Sequence, residues 1–232
     1  MKRMKWAVML FLVACAMPAR AQMGMDMFKR PSFTKMFHPV VGKGAEYETT
    51  SKTGSDSKVR TMDMGIVGKE SVDGKDGYWM EMMTSDPAGK TFLGKMLMTP
   101  DDFQFHKMIF QMPGKGAMEM PFNPTAAQKT KMEENMQENM QDWHSVGTES
   151  ITVPAGTFDC EHWKNDKTGG EVWVSDKVSP FGLVKELSKD HSMVLTKVLS
   201  DYPERITGPV QKFDPQMMMQ QMQQQRQQQP PQ

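Results

Sequence analysis

The chain has 232 residues, of which 28 are basic and 28 acidic, so its formal net charge is zero. Its cations form no long basic run, which argues against nucleic-acid binding, because neutralising phosphates requires clustered Lys and Arg. A chain of this length suits one domain with a sizeable core.

The first 21 residues have the pattern of an export signal. "MKRMK" is cationic, "WAVMLFLVA" is apolar but too short to cross a bilayer, and "MPARA" ends in an A-x-A cleavage site before Gln22. An alternative cut lies at "LVAC", which fits the lipobox that precedes a lipid-modified Cys15. Cleavage at the first site leaves 24 basic and 28 acidic residues, a net charge of −4, and no further membrane-spanning segment. We therefore expect a protein of a Gram-negative-type periplasm, or one anchored through lipid on Cys15.

Composition divides the rest of the chain into three parts. Residues 22–41 form a proline-broken, extended lead-in, and residues 42–214 a single β-rich domain. Residues 215–232 are rich in Gln, Met and Pro, a composition typical of disorder. With Cys15 removed or lipidated, Cys160 has no intrachain partner, so no disulfide holds the fold.

Turn sequences recur every 10 to 15 residues in the β-rich domain, among them "KTGSDS", "SVDGKDG", "SDPAGK" and "TPDD". They separate apolar-alternating runs, which predicts antiparallel strands rather than βαβ units. The first predicted series covers residues 44–52, 58–68, 77–84, 91–98 and 103–112. The second covers residues 144–153, 157–165, 170–175, 181–188 and 192–201. The fold class is therefore mainly β, with a large antiparallel sheet that must curve to bury one face.

One amphipathic helix is predicted between the two series, and we expect it on the concave face of the sheet. Asn123 is a suitable N-cap, Pro124 suits the first helical position, and Gly147 is suited to the end. The apolar stripe consists of Met132, Met136 and Met140.

Methionine is unusually frequent, with 27 residues, and it recurs in pairs spaced by two, which share one face of a strand. The pairs are Met62 and Met64, Met80 and Met82, Met96 and Met98, and Met118 and Met120. Three interpretations stay open. The pairs build a core in place of leucine; they line, with the helix stripe, an adaptable cavity for an apolar ligand; or the chain binds a soft metal, since thioethers favour Cu(I). The better copper ligands are in the lead-in, namely Met23, Met25 and Met27, with His38.

No catalytic or cofactor-binding motif occurs in the sequence. Cys160 and His162 share a strand face but lie ~7 Å apart along the strand, which is long for a thiolate–imidazole pair. A free cysteine two residues from Phe158 is typical of core packing. We therefore predict no enzymatic activity and no cofactor.

The segment "VPAGTFDC", followed by "GGEVWVSDKVSPFGLVKEL" and "HSMVLTKVLS", resembles exported bacterial proteins of unknown function related to the outer-membrane lipoprotein carrier (LolA/LolB-like) fold. The resemblance covers residues 151–200 and, more loosely, extends back to residue 44. It implies a curved half-barrel whose concave side accepts an acyl chain or an apolar protein segment. It also implies structural roles for Pro154, Ala155 and Gly156 in a turn, for Phe158 and Trp173 in the core, and for Pro180, Phe181 and Gly182 before the next strand.

These observations together predict a non-enzymatic periplasmic protein that binds a lipid, an acyl chain or a lipidated partner in a methionine-lined concavity. The alternatives are a periplasmic copper-binding protein that uses the N-terminal methionines, and a structural envelope protein that assembles through its tail.

Overall fold

A computed structural model describes residues 37–54, 56–100, 104–111, 116–120, 124 and 141–212. Within these residues one sheet of twelve strands forms the fold. The strands are β1 (Gly44–Thr53), β2 (Asp56–Val72), β3 (Lys75–Ser85), β4 (Thr91–Thr99), β5 (Gln104–Gln111), β6 (Ala117–Met120), β7 (Trp143–Val153), β8 (Gly156–Asn165), β9 (Glu171–Val174), β10 (Leu183–Leu187), β11 (His191–Leu199) and β12 (Val210–Lys212).

The order across the sheet is β12-β6-β5-β4-β3-β2-β1-β11-β10-β9-β8-β7. Neighbouring strands are antiparallel, except for β6 and β12, which pair in parallel. The prediction of a mainly β fold with one large, mostly antiparallel sheet is confirmed. The ten predicted strands correspond to β1–β5 and β7–β11. The two that were not predicted, β6 and β12, have only four and three residues, too few to show an alternating pattern.

The predicted helix falls mainly on residues outside the described ranges, and so do its methionines Met132, Met136 and Met140. Its predicted end is wrong, because β7 already begins at Trp143 and contains Gly147. Gly147 has φ +122 and lies where the register between β7 and β8 shifts. It is therefore a bulge glycine, in a backbone conformation that glycine adopts without steric cost, and does not end a helix.

The end of the predicted lead-in packs against the sheet. Phe37 is buried, and its ring centroid lies 5.0 Å from that of Phe181. The His38 backbone N–H donates to the Pro180 carbonyl at 2.9 Å. The chain thus enters the fold at the segment that precedes β10. Residues 1–36, with the predicted export signal, and the predicted tail at 215–232 lie outside the described ranges. No helix among the described residues is long and apolar enough to span a membrane.

The turn between β7 and β8, at one end of the sheet, contacts β11 in the middle of the sheet. Pro154 and Ala155 form this turn, and the Ala155 N–H donates to the Leu195 carbonyl of β11 at 3.4 Å. Gly156, with φ +132, begins β8. Phe158 and Trp173 are buried in the main core, as the sequence predicted.

The segment after β11 crosses one side of the sheet, which we call the opposite face. The ring of Tyr202 lies over Gly44 and Gly65, which are directly paired between β1 and β2. A Cβ atom on Gly65 would lie 2.2 Å from Cγ of Tyr202, so only glycine leaves room for the ring. The two glycines therefore form a flat seat for an aromatic side chain.

Buried carboxylates fasten this segment to the sheet. The Tyr202 hydroxyl donates to Asp63 at 2.6 Å, and the Arg205 guanidinium donates to the same carboxylate at 3.0 Å. The backbone N–H groups of Arg205 and Ile206 donate to the Glu81 carboxylate, at 2.9 and 3.0 Å to their nearest oxygens. Glu81 is fully buried, and these charge-assisted bonds replace the water that its burial removes.

Candidate ligand-binding face

The methionine pairs of β2, β3, β4 and β6 lie on the same side of the sheet. Residues that are directly opposite each other in an antiparallel ladder point to the same face. The register pairs Met64 with Met82, and Met80 with Met96, so their strands present methionine to a common side. We call this side the methionine face. It carries Met62, Met64, Met80, Met82, Met96, Met98, Met118 and Met120.

One continuous row of methionines crosses four neighbouring strands. Met80, Met96, Met108 and Met120 are directly paired from β3 to β6. Directly opposite Cβ atoms in such a ladder lie ~4.5–5.5 Å apart, so each thioether is beside the next. Met108 was not among the predicted lining residues. Its alternation with Phe110 within β5 is the sequence signal that would have found it.

The row beside it contains three methionines, one phenylalanine and one glycine. It runs through Met64, Met82, Gly94, Phe110 and Met118. Gly94 contributes no side chain, and a Cβ atom there would lie 3.3 Å from the Phe110 ring. The Phe110 ring therefore packs over Gly94, and this row is apolar along its length.

Burial along these rows changes from the middle of the sheet to its β6 end. The six methionines that β2, β3 and β4 contribute to the methionine face are buried, with Met64 only 1% exposed. Met108, Met118 and Met120, in β5 and β6, are half-buried. The first group is core, where a buried side chain of this size contributes ~1.5–3 kcal/mol. The second group offers thioether surface that the described residues do not fully cover.

Three of the four predicted copper ligands lie outside the described ranges. These three are Met23, Met25 and Met27, and the fourth, His38, is exposed beside the Pro180 turn. Within the described part of the chain, no group of three or more His, Cys, Asp or Glu side chains is placed to hold a metal ion.

Cys160 lies in the core and is not arranged as a nucleophile. It is 2% exposed, and its thiol is 3.6 Å from the Phe158 carbonyl oxygen. Burial, and then the negative charges of Asp159 and Glu149, raises the pKa of the Cys160 thiol to about 11. The thiol is therefore protonated at neutral pH, and a protonated thiol is a poor nucleophile.

His162 is bound to carboxylates from the two neighbouring strands. Its Nδ1 is 2.8 Å from Glu149 on β7, and its Nε2 is 2.8 Å from Glu171 on β9. The imidazole stacks on Trp173 with a centroid distance of 4.3 Å, and the Trp173 indole N–H also donates to Glu149, at 2.5 Å. His162 thus ties three strands together.

Comparisons with known proteins give distant structural matches. No protein-family model matches the sequence, and no curated protein matches it. The chain is similar to a candidate lipoprotein from Parabacteroides distasonis, with 17% identity and a TM-score of 0.37 over 70% of this chain and 97% of that chain. It is similar to a candidate exported protein with a YmcC-like fold from Bacteroides fragilis, with 13% identity and a TM-score of 0.36 over 70% and 98%.

A third match is a LolA superfamily protein from Nitrosomonas europaea, with 9% identity and a TM-score of 0.33 over 77% of this chain and 94% of that chain. The solved structures thus include the kind of protein that the sequence resembles. At such identities and TM-scores, these likenesses specify neither a ligand nor an activity for this chain.

Proposed function

We propose that this protein is an exported, non-enzymatic binding protein that takes up an acyl chain, free or attached to a partner, on its methionine face. The observation that carries the proposal is the row of Met80, Met96, Met108 and Met120. It is anchored in the core at β3 and half-buried at β5 and β6. The export signal predicted for residues 1–21 supports the location.

Methionine suits such a surface for a physical reason. Its unbranched, polarizable side chain changes rotamer easily, so a surface built from it adapts to chains of different length and unsaturation. A row of β-branched residues would present a stiffer surface, because their χ1 angles are restricted. The half-buried end of the row offers surface to a bound chain, and the buried end holds the strands beneath that surface in place.

The surroundings of Cys160 and His162 support the proposal that the protein is not an enzyme. The Cys160 thiol is buried with a raised pKa, and His162 is engaged by Glu149 and Glu171. Within the described residues, neither group is arranged as a free base beside a nucleophile.

Uptake of a fluorescent fatty acid by the full chain tests the proposal. We expect saturable binding, and native mass spectrometry of protein purified from its host envelope should show co-purified lipid or acylated partner. Met108→Asp should weaken binding at least tenfold, because a carboxylate beside the chain must be desolvated at a cost above ~1.4 kcal/mol. Met108→Leu should retain binding.

Val210→Asp is the matched control, since it adds the same charge at an exposed position on β12 that is paired with Ala117, on the opposite face. Its affinity should equal that of the wild type. No uptake of the fatty acid, together with a clean mass for the purified protein, would contradict the proposal.

A further inference from the structure

The methionine face becomes polar at one end, where β1, β2 and β11 meet. Along β2, Met62 and Met64 are preceded on the same face by Arg60 and Lys58, because alternate residues of a strand share a side. Along β1, Tyr47 is followed on that face by two hydroxyl side chains, Thr49 and Ser51.

The register brings these polar residues together. Thr49 is directly opposite Arg60, and Ser51 is directly opposite Lys58 on one side and His191 on the other. Thr49 donates to the Arg60 carbonyl at 3.3 Å, and the Ser51 hydroxyl lies 3.4 Å from Nδ1 of His191. Two cations and two hydroxyls therefore form a patch that adjoins the apolar rows.

The cations of this patch have no carboxylate partner among the described residues. Arg60 is half-buried and Lys58 exposed, and neither forms an ion pair within that part of the chain. Asp86, which follows β3 on the side of Arg60, accepts instead from the Lys90 backbone N–H at 2.9 Å. Glu186 is on the same face but three strands from Arg60, which is ~14 Å at ~4.8 Å per strand.

We propose that the ligand is a single-chain anionic amphiphile, with its chain along the methionine rows and its anionic head bound by Arg60 and Lys58. This inference rests on the proposed function. A half-buried guanidinium that pairs with no carboxylate of the described residues favours an added carboxylate or phosphate, which it binds with charge-assisted hydrogen bonds. The half-buried methionines of β5 and β6 lie three to four strands from Arg60 on β2, ~14–19 Å at the same spacing, a distance that an extended chain spans. The shared chemistry of the head is an oxyanion, and a free fatty acid and a lipid phosphate are its two sources.

Matched ligands test the inference on the full chain. Palmitate, hexadecyl phosphate and methyl palmitate carry chains of similar length and differ in the charge of the head, and each is used below its micelle concentration. We expect the two anions to bind about tenfold more tightly than the ester, which corresponds to ~1.4 kcal/mol. The preference should fall as ionic strength rises, because salt screens an exposed charge interaction.

Arg60→Gln and Lys58→Gln should remove most of this preference, because they weaken the binding of the two anions more than that of the ester, whereas Arg60→Lys should retain much of it. Lys52→Gln is the control, since Lys52 is exposed and next to Ser51 in sequence but points to the other face. Tighter binding of hexadecyl phosphate assigns a lipid phosphate, and tighter binding of palmitate assigns a fatty acid.

Equal binding of all three ligands, unchanged in Arg60→Gln, would overturn the head-group inference and leave the proposed function standing. Binding of none of the three would overturn both.

Discussion

Asp63 shows how a single residue on the opposite face couples stability to pH. Burial raises the pKa of its carboxyl above the ordinary value of 3.8, and the Tyr202 hydroxyl and the Arg205 charge oppose that rise only in part. The folded state therefore holds this proton more tightly than the unfolded state does. The stability contributed by Asp63 is complete below the unfolded pKa and is lost as pH rises through the folded pKa.

Removal of this titration should change the pH dependence in a defined direction. From pH 3.5 to 6.5, the free energy of unfolding of Asp63→Asn, minus that of the wild type, should increase with pH. Glu70→Gln should show the opposite slope, because a hydrogen bond from Lys107 lowers the pKa of Glu70 and its stabilisation is lost as pH falls. Urea denaturation at several pH values measures both. Equal slopes for the two variants would contradict the assignment.

The 200–209 segment covers part of the opposite face. Its position depends on two glycines that are paired between β1 and β2. Gly44 and Gly65 leave the space that the Tyr202 ring fills, and the ring brings its hydroxyl within reach of Asp63. Farther along, Ile206 is buried beside Ile109 and Ala117 in a small second core. Removal of either contact exposes apolar surface of β2–β6.

Gly65→Ala tests the seat of Tyr202. The added methyl collides with the ring at a point where strand pairing prevents the backbone from moving, so we expect a loss of ~3 kcal/mol in the free energy of unfolding. Gly208→Ala is the control in the segment itself, since nothing lies within 4 Å of its added Cβ atom. That variant should stay within ~0.5 kcal/mol of the wild type. An equally mild effect at Gly65 would show that the ring does not rest there.

At the scale of the whole molecule, the two strand series form one cooperative unit. Their junction is the pairing of β1 with β11, and the main core includes Met80 from the first series and Trp173 from the second. The hydrogen bond from Ala155 to Leu195 adds a second connection, between the end of the sheet and its middle. A fold with a shared core is expected to unfold in one transition.

Single-tryptophan variants test this cooperativity. One retains Trp79 on β3, the other retains Trp173 on β9, and the remaining tryptophans are replaced by Phe. For each variant, urea unfolding is followed by tryptophan fluorescence and by circular dichroism. The urea midpoints from the two probes should coincide. A separate transition for the Trp173 region would instead indicate that β7–β10 unfold on their own.

The sequence alone determined the strands, because their signals are local. Turn residues and apolar alternation are signals within about ten residues. The turns "VPAGTF" and "SVDGKDG" therefore indicate the strands on either side of them without reference to the rest of the chain. The spacing of Met80 and Met82 likewise predicted that they share a face. The same local signals were too weak for β6 and β12, which are short and pair with each other from distant parts of the chain.

Only the tertiary structure decided which residues meet across the chain. The row from Met80 to Met120 depends on the register of four strands, and a shift of one residue would turn any of its members to the other side. Glu81 meets Arg205 across 124 positions, and Arg60 joins the methionine face through Thr49. Periodicity in the sequence assigns a side chain to one face of a strand. Contacts between residues far apart in sequence decide which methionines are buried, which residues surround the Glu81 carboxylate, and where the methionine face becomes polar.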